Sequence, residues 1–185
     1  MTNRSGQAAA QGRRVALLRG INVGGARKVP MADLRELATG LGWTDVTTHL
    51  QSGNLLFTAD ASDLELSTTL TAALKQRFGM DIDVIVRTGE ELQRLVDGHP
   101  FADGDPAHVV IACCDRPVSR AAEAKLVGLA VEGERLHVMG ADIYADFPDG
   151  QARSKLAAQL VSALKPGTGT ARNLRTMTKL AELLS

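Results

Sequence analysis

The chain has 185 residues, of which 44% are hydrophobic, so it can form one compact domain or two small domains that share a core. This composition excludes wholesale disorder, and a formal net charge of zero disfavours general nucleic-acid binding, which normally needs a basic excess. No apolar run in the sequence is long enough to span a bilayer, and the first residues lack the apolar core of a signal peptide. We therefore expect a cytoplasmic protein with no membrane association.

The first half of the chain predicts the order β-α-β-β-α-β. Residues 1–12 are small and polar and predict a disordered tail. The elements that follow are a strand at 13–19, a helix from Pro30 to a stop at Gly42, strands at 46–50 and 55–58, a helix capped by Ser62 and Glu65, and a strand at 82–86. This is the split βαβ, or ferredoxin-like, arrangement, and we assign it to residues 13–88.

The second half, residues 89–185, repeats this order only in part. It predicts a strand at 108–113, a helix capped by Ser119, a hairpin centred on Gly140 and a helix carrying Leu156 and Leu160. The segment Pro166-Gly167-Thr168-Gly169 interrupts the chain where the last strand should lie, and Thr170 is a plausible N-cap for a terminal helix. The expected fold class is therefore α+β, with two ferredoxin-like subdomains, the second lacking its last strand and ending in an extra helix.

A glycine-rich loop, from Leu18 to Gly25, follows the first strand. Such a loop exposes backbone N–H groups and can hold an anion. The first two strands of a split βαβ unit run in the same direction, so this loop and the turn at Gln51–Asn54 are expected at one edge of the sheet. The spacing of the glycines fits neither the dinucleotide-binding fingerprint nor the Walker motif. The alternative is a tight strand-to-helix turn beside an ordinary hairpin turn, in which Gly53 supplies a positive φ.

Cations stand at three predicted helix starts, where exposed N–H groups favour acidic side chains. They are Arg27 and Lys28, then Arg153 and Lys155, then Arg172 and Arg175. Each placement costs up to about 1 kcal/mol unless a bound anion offsets it. The alternative is that these are exposed cations whose repulsion is screened at physiological salt.

The remaining residues do not assign a reaction. None of the four histidines has a partner at zinc-ligand spacing, and the adjacent Cys113 and Cys114 fit neither a metal site nor a disulfide framework, so no metal is expected. Aromatic residues make up 3% of the chain, which disfavours RNA stacking on the sheet. Catalytic residues and cofactors stay unassigned.

A set of short motifs, in the same order from about Arg13 to Leu184, resembles the bacterial domain-of-unknown-function family 1697. The motifs are Leu17–Gly25, Pro30-Met31-Ala32-Asp33-Leu34, Gln51-Ser52-Gly53-Asn54, Val86-Arg87-Thr88, Pro100-Phe101, Arg153-Ser154-Lys155-Leu156, Thr170-Ala171-Arg172-Asn173, Thr176 and Lys179-Leu180. The resemblance implies an α+β fold of two ferredoxin-like subdomains. It implies no activity, because the family is uncharacterised. The family commonly has an aromatic residue where this chain has Leu174, so stacking there is not expected.

The sequence thus favours a small phosphorylated or otherwise anionic ligand, bound by the glycine-rich loop and the basic helix starts. The candidate ligand-binding residues are Arg19, Asn22, Gly24, Gly25, Lys28, Gln51, Asn54, Arg153, Lys155, Arg172 and Asn173. One alternative is a non-catalytic protein-interaction module, because strands that are apolar on both faces need a second sheet or a partner subunit to cover them, and a homodimer stays open. Nucleic-acid binding is the third option.

Overall fold

A computed structural model describes residues 12–24 and 27–185 of the chain. The predicted tail, except Gly12, and the candidate Gly25 lie outside the described residues. Within the described part, no helix has both the length and the apolar character needed to cross a membrane.

The first subdomain is a four-stranded antiparallel sheet in the order β2-β3-β1-β4. Its elements are β1 (Gly12–Leu18), α1 (Met31–Gly40), β2 (Thr44–His49), β3 (Asn54–Ala59), α2 (Asp63–Phe78) and β4 (Val84–Thr88). The predicted capping box of Ser62 and Glu65 begins α2, and Gly79, in the left-handed region at φ 67°, ends it. The split βαβ order expected for this half is confirmed.

The second subdomain repeats this topology in full, with the sheet order β6-β7-β5-β8. Helix α3 (Gly89–Asp97) connects the two halves. The remaining elements are β5 (Val109–Cys114), α4 (Arg120–Val127), β6 (Arg135–Met139), β7 (Asp142–Asp146), α5 (Lys155–Gln159), a single 3-10 turn at Ser162–Leu164, β8 (Gly169–Asn173) and α6 (Leu174–Leu184).

The expectation that the second subdomain lacks its last strand is wrong, because β8 pairs with β5 from Gly169 to Asn173. Gly169 does not prevent strand formation but lets β8 approach β5 closely, because a Cβ on Gly169 would lie 2.7 Å from the Cys113 carbonyl oxygen. The strand also lacks a simple apolar alternation, because Thr170 and Arg172 use their polar side chains on its inner face. Helix α6 consequently starts after Asn173 rather than after Thr170.

The two sheets enclose a common core. Helices α1 and α2 cover the outer face of the first sheet, and α4 and α5 cover the outer face of the second. Between the inner faces lies a cluster that both sheets and helices α3 and α6 supply, including Val15, Leu17, Ile111 and Met177, all fully buried. The second sheet of the same chain therefore covers the apolar face of the first sheet, for which the sequence predicted a second sheet or a partner subunit.

The two halves make reciprocal contacts, which indicates an approximate internal two-fold relation. The Leu18 amide donates to the Gly53 carbonyl at 2.9 Å in one half, and the Cys114 amide donates to the Ala141 carbonyl at 2.9 Å in the other. The last strand of each half ends in an arginine followed by the capping residue of a helix: Arg87 and Thr88 before α3, and Arg172 and Asn173 before α6. Each arginine donates to the last residue of the first strand of the opposite half, at 2.8 Å.

Candidate functional site

The glycine-rich loop and the β2–β3 turn lie side by side at one edge of the first sheet. Besides the Leu18 to Gly53 bond, the Asn22 side chain donates from Nδ2 to the Gln51 carbonyl at 2.8 Å. Arg172 reaches the same edge from β8 of the second subdomain. We call the junction the surface formed by residues 19–24, 27–28 and 50–53 together with Arg172.

Asn22 holds the loop closed. Its Nδ2 donates to the Val29 carbonyl at 2.9 Å, and its Oδ1 accepts from the Val29 amide at 2.9 Å. The residue adopts a φ of 56°, in the left-handed region that asparagine tolerates. With the additional bond to Gln51, the side-chain amide is committed to shaping the loop, so Asn22 prepares the junction rather than offering a free group to a ligand.

The Arg172 guanidinium is the hub of the junction. Its five N–H groups donate to protein oxygens: Asn54 Oδ1 at 2.7 Å, Thr170 Oγ1 and the Leu18 carbonyl at 2.8 Å, the Ala171 and Ser52 carbonyls at 2.9 Å, and the Gly53 carbonyl at 3.3 Å. No carboxylate among the described residues pairs with it. Burial lowers the pKa of Arg172 to about 10, so the group is charged at neutral pH. A positive charge that is largely withdrawn from solvent is thus held by neutral acceptors alone.

The β2–β3 turn is shaped to receive Arg172. Asn54 is fully buried, and its Nδ2 donates to the His49 carbonyl at 2.8 Å and to Ser52 Oγ at 3.2 Å, which aims its Oδ1 at the guanidinium. Gly53 has a φ of 80°, and a Cβ there would lie 2.7 Å from Ile21 Cδ1. The loop and the turn therefore pack together without room for a side chain at Gly53.

The remaining candidates of the first half lie at the surface of the junction. Arg19 forms an ion pair with Asp83, at 3.1 Å from Nη1 to Oδ2. Lys28, Gln51 and Gly24 are exposed, and Gly24 has a φ of 61°. Lys28 and Gln51 are therefore the candidates whose side chains face solvent at the mouth of the junction.

Arg153 and Lys155 lie elsewhere. Arg153 lines a surface cleft of about 610 Å³ together with Glu132, Glu134 and Asp149. Glu132 and Glu134 precede β6, which is separated from β8 by β7 and β5 in the sheet. The carboxylates of this cleft disfavour an anion. Ser154 caps α5, whose five residues begin with the exposed Lys155.

Asn173 caps α6, since its Oδ1 accepts from the Thr176 amide at 3.0 Å. Its neighbour Arg172 is therefore a strand residue, and Arg175 is the cation in the first turn of this helix. The second half brings Arg172 to the junction edge, with Asn173 next to it in the chain, but leaves Arg153 on the far side of its sheet.

Sequence reasoning missed Arg87, the counterpart of Arg172, as a site residue. Arg87 donates from Nη1 to the Val86 carbonyl at 2.9 Å and from Nη2 to the Cys114 carbonyl at 2.8 Å. Its Nη2 lies 3.8 Å from Asp142 Oδ1, at the position that corresponds to Asn54 in the other half. The signal in the sequence was the arginine before a helix-capping residue, Arg87-Thr88 and Arg172-Asn173.

Comparison with known proteins places the chain in a family. A family model described as "Protein of unknown function (DUF1697)" matches residues 12–144. The chain belongs to this family. The conserved bacterial protein SP0830 from Streptococcus pneumoniae has a similar structure, with a TM-score of 0.73 and 24% sequence identity over 95% of this chain and 100% of that one. This similarity shows that the two proteins share the α+β fold.

The family has no assigned activity, and no curated protein matches the chain. Among the described residues, no group of three or more histidine, cysteine, aspartate or glutamate side chains is arranged to hold a metal ion.

Proposed function

We propose that the junction binds a small anionic ligand, of the phosphorylated class. The two related arginines, Arg87 and Arg172, differ in the charge of the side chain beside them. Arg87 has the carboxylate of Asp142 beside it, 3.8 Å away, whereas Arg172 has the neutral amide of Asn54 at the corresponding position. The charge of Arg172 is thus not offset at the junction, whereas Asp142 offsets the charge of Arg87 in the other half of the molecule.

The charge of Arg172 acts on a ligand through space. All five of its N–H groups are already used, so direct contacts come from Lys28, Gln51 and the exposed residues 23–24 of the glycine-rich loop. An anion about 7 Å from the guanidinium gains about 2 kcal/mol at an effective dielectric constant near 20. Arg172 also fixes the turn that carries Gln51, through its bonds to the Ser52 and Gly53 carbonyls. We therefore assign it a positioning role.

The structure gives the protein-interaction alternative no specific support. That alternative was motivated by an apolar face of the first sheet, and the second sheet with helices α3 and α6 covers this face. Nucleic-acid binding gains no support either, because Arg153 lies in a separate cleft with three carboxylates and does not extend the junction into a continuous basic surface.

Thermal denaturation at low ionic strength tests the proposal with inorganic phosphate, pyrophosphate and ADP as probes. At about 100 times its dissociation constant, a ligand that binds the folded protein stabilises it by about 2.7 kcal/mol. We expect at least one probe to raise the melting temperature of the wild type. Lys28→Ala should lose most of this shift, whereas Lys125→Ala, which removes a cation on α4, should keep it. No shift with any probe, or equal shifts in both variants, would contradict the proposal.

A further inference from the structure

A second cleft, of about 300 Å³, lies between α3 and the β6–β7 hairpin. Its charged lining consists of Arg87 from β4, Glu91 and Arg94 from α3, and Asp142 from β7, and Leu95 and Met139 add apolar surface. Under the internal two-fold relation, its counterpart is the cleft between α6 and the β2–β3 turn. That cleft is lined by His49, Leu50, Pro106, Thr176 and Lys179. The cleft at α3 is distinct from the junction.

The pair formed by Arg87 and Asp142 is open, in contrast to the closed pair of Arg172 and Asn54. The Arg87 Nη2 to Asp142 Oδ1 distance of 3.8 Å exceeds hydrogen-bond length. Within the described residues, Arg87 uses two of its five N–H groups, and Asp142 Oδ1 is buried without a hydrogen-bond partner. Both side chains keep about a fifth of their surface exposed, 17% and 20%. Arg87 therefore has unused donors, and the exposed part of each side chain is open to a ligand.

We propose that this cleft binds a small zwitterion of the α-amino acid class, with its carboxylate on Arg87 and Arg94 and its ammonium group on Asp142. Two guanidinium groups and two carboxylates line the cleft, so a simple anion would face Asp142 and Glu91, and a simple cation would face both arginines. A molecule that carries both charges satisfies both sets. The cleft volume lies at the lower end of the range for ligand pockets, which suits a molecule of this size.

Asp142 is the acid available for the ammonium group. Glu91 already accepts from the Thr88 amide at 2.8 Å in the capping box of α3. Burial is the main cause that raises the pKa of Asp142, and the neighbouring Glu91 adds to it, while Arg87 opposes it. A bound ammonium group would favour the ionised carboxylate, so ligand binding relieves the unfavourable burial of this charge.

Saturation-transfer NMR on the full chain tests this inference, with single L-amino acids as probes and with propionate and propylamine as matched molecules of one charge. We expect at least one amino acid to bind at about 10 mM or below, and each single-charge molecule to bind at least about tenfold more weakly. No binding by any amino acid, or equal binding by propionate or propylamine, would overturn the proposal.

Two variants locate the binding in this cleft. Asp142→Asn copies the residue found at Asn54 in the other half, and we expect it to weaken amino-acid binding by about tenfold. The exposed Asp149→Asn, outside the cleft, should bind like the wild type. If Asp142→Asn does not fold, Arg94→Gln, at an exposed position on α3, takes its place and should also weaken binding. If Asp142→Asn, or Arg94→Gln in its place, bound amino acids with wild-type affinity, the assignment of binding to this cleft would be overturned. Lys28→Ala should leave amino-acid binding intact, which separates this test from that of the junction.

Discussion

The oxygen atoms around the Arg172 guanidinium carry no formal charge, and this residue determines much of what the junction can do. Four of its six hydrogen bonds connect the second subdomain to Leu18, Ser52, Gly53 and Asn54 of the first, and the other two stay within β8. Hydrogen bonds to a charged group contribute about 1.5–3 kcal/mol each at most, and removing the donor leaves buried acceptors unsatisfied. The same side chain therefore stabilises the fold and supplies the field of the proposed anion site.

Arg172→Lys should lower the free energy of unfolding by about 3 kcal/mol, because an ammonium group keeps the charge but has three donors in place of five. Denaturant unfolding followed by circular dichroism measures this loss. Arg175→Lys, at the exposed neighbouring cation, is the matched control and should change stability by less than about 0.5 kcal/mol. Similar stabilities of the two variants would show that the Arg172 bonds do not hold the halves together.

Gly53→Ala should destabilise the protein more than Gly140→Ala. Both glycines have positive φ values, 80° and 63°, but a Cβ at Gly53 would lie 2.7 Å from Ile21 Cδ1, whereas Gly140 has nothing within 4 Å. Strain alone costs about 1 kcal/mol at either site, and overpacking adds about 1–3 kcal/mol at Gly53. Equal unfolding midpoints of the two variants would show that the glycine-rich loop and the β2–β3 turn do not pack closely at Gly53.

Asp142→Asn should raise stability at neutral pH and have no such effect in acid. Burial raises the pKa of Asp142 in the folded protein, so the wild type binds more protons folded than unfolded between the unfolded and folded pKa values. Its stability therefore falls as pH rises through that window, and the variant avoids this loss. Unfolding free energies of both proteins across this pH range test the sign. A gap that widens toward acid pH would contradict it.

At the scale of single elements, local signals predicted most of the fold. The capping box at Ser62 and the cap at Ser119 lie where the sequence placed them. The exception is β8, because its pairing with β5 joins residues from Cys114 and Gly169 to Val110 and Asn173, about 60 positions apart. The strand also has the hydrogen bonds of Arg172 in place of an apolar pattern. Element boundaries near β8 were displaced for the same reason, and Asn173 rather than Thr170 caps α6.

Two substitutions at Asn173 separate its capping role from a role in binding. Asn173→Ala should lower stability by about 1 kcal/mol, because it removes the acceptor for the Thr176 amide. Asn173→Asp keeps the cap and should retain wild-type stability, but its negative charge should weaken phosphate binding at the nearby junction. Unfolding and phosphate titrations on the same samples measure both effects. Unchanged phosphate affinity in Asn173→Asp would remove this residue from the site.

At the scale of the whole molecule, the convergence of the two halves could be predicted only in part. Strand direction predicted that the glycine-rich loop and the turn at Gln51–Asn54 share an edge, because that follows from the topology of one subdomain. The placement of Arg172 and Arg153 depends on how two subdomains pack across a common core, and no local pattern specifies that. The packing brings Arg172 to the junction and leaves Arg153 beside Glu132 and Glu134.

The common core predicts that the two subdomains unfold together. Trp43, the single tryptophan, lies in the first subdomain and reports on it by fluorescence, while circular dichroism reports on both. Ile111→Ala, in the inner face of the second sheet, should destabilise the Trp43 transition by about 2–5 kcal/mol. The exposed Val131→Ala should leave it unchanged. If Ile111→Ala left the unfolding midpoint measured by Trp43 fluorescence unchanged, the two subdomains would unfold independently.

Anion binding at the junction, with its uncompensated Arg172, can be tested residue by residue. The most direct measurement is a titration of the ¹⁵N-labelled full chain with inorganic phosphate at constant ionic strength, followed through backbone amide resonances. We expect saturable shifts confined to the amides of residues 19–28, 50–54 and 170–173, and their loss in Lys28→Ala. Absence of saturable shifts in those segments, or shifts centred instead on Arg153 and Lys155, would contradict it.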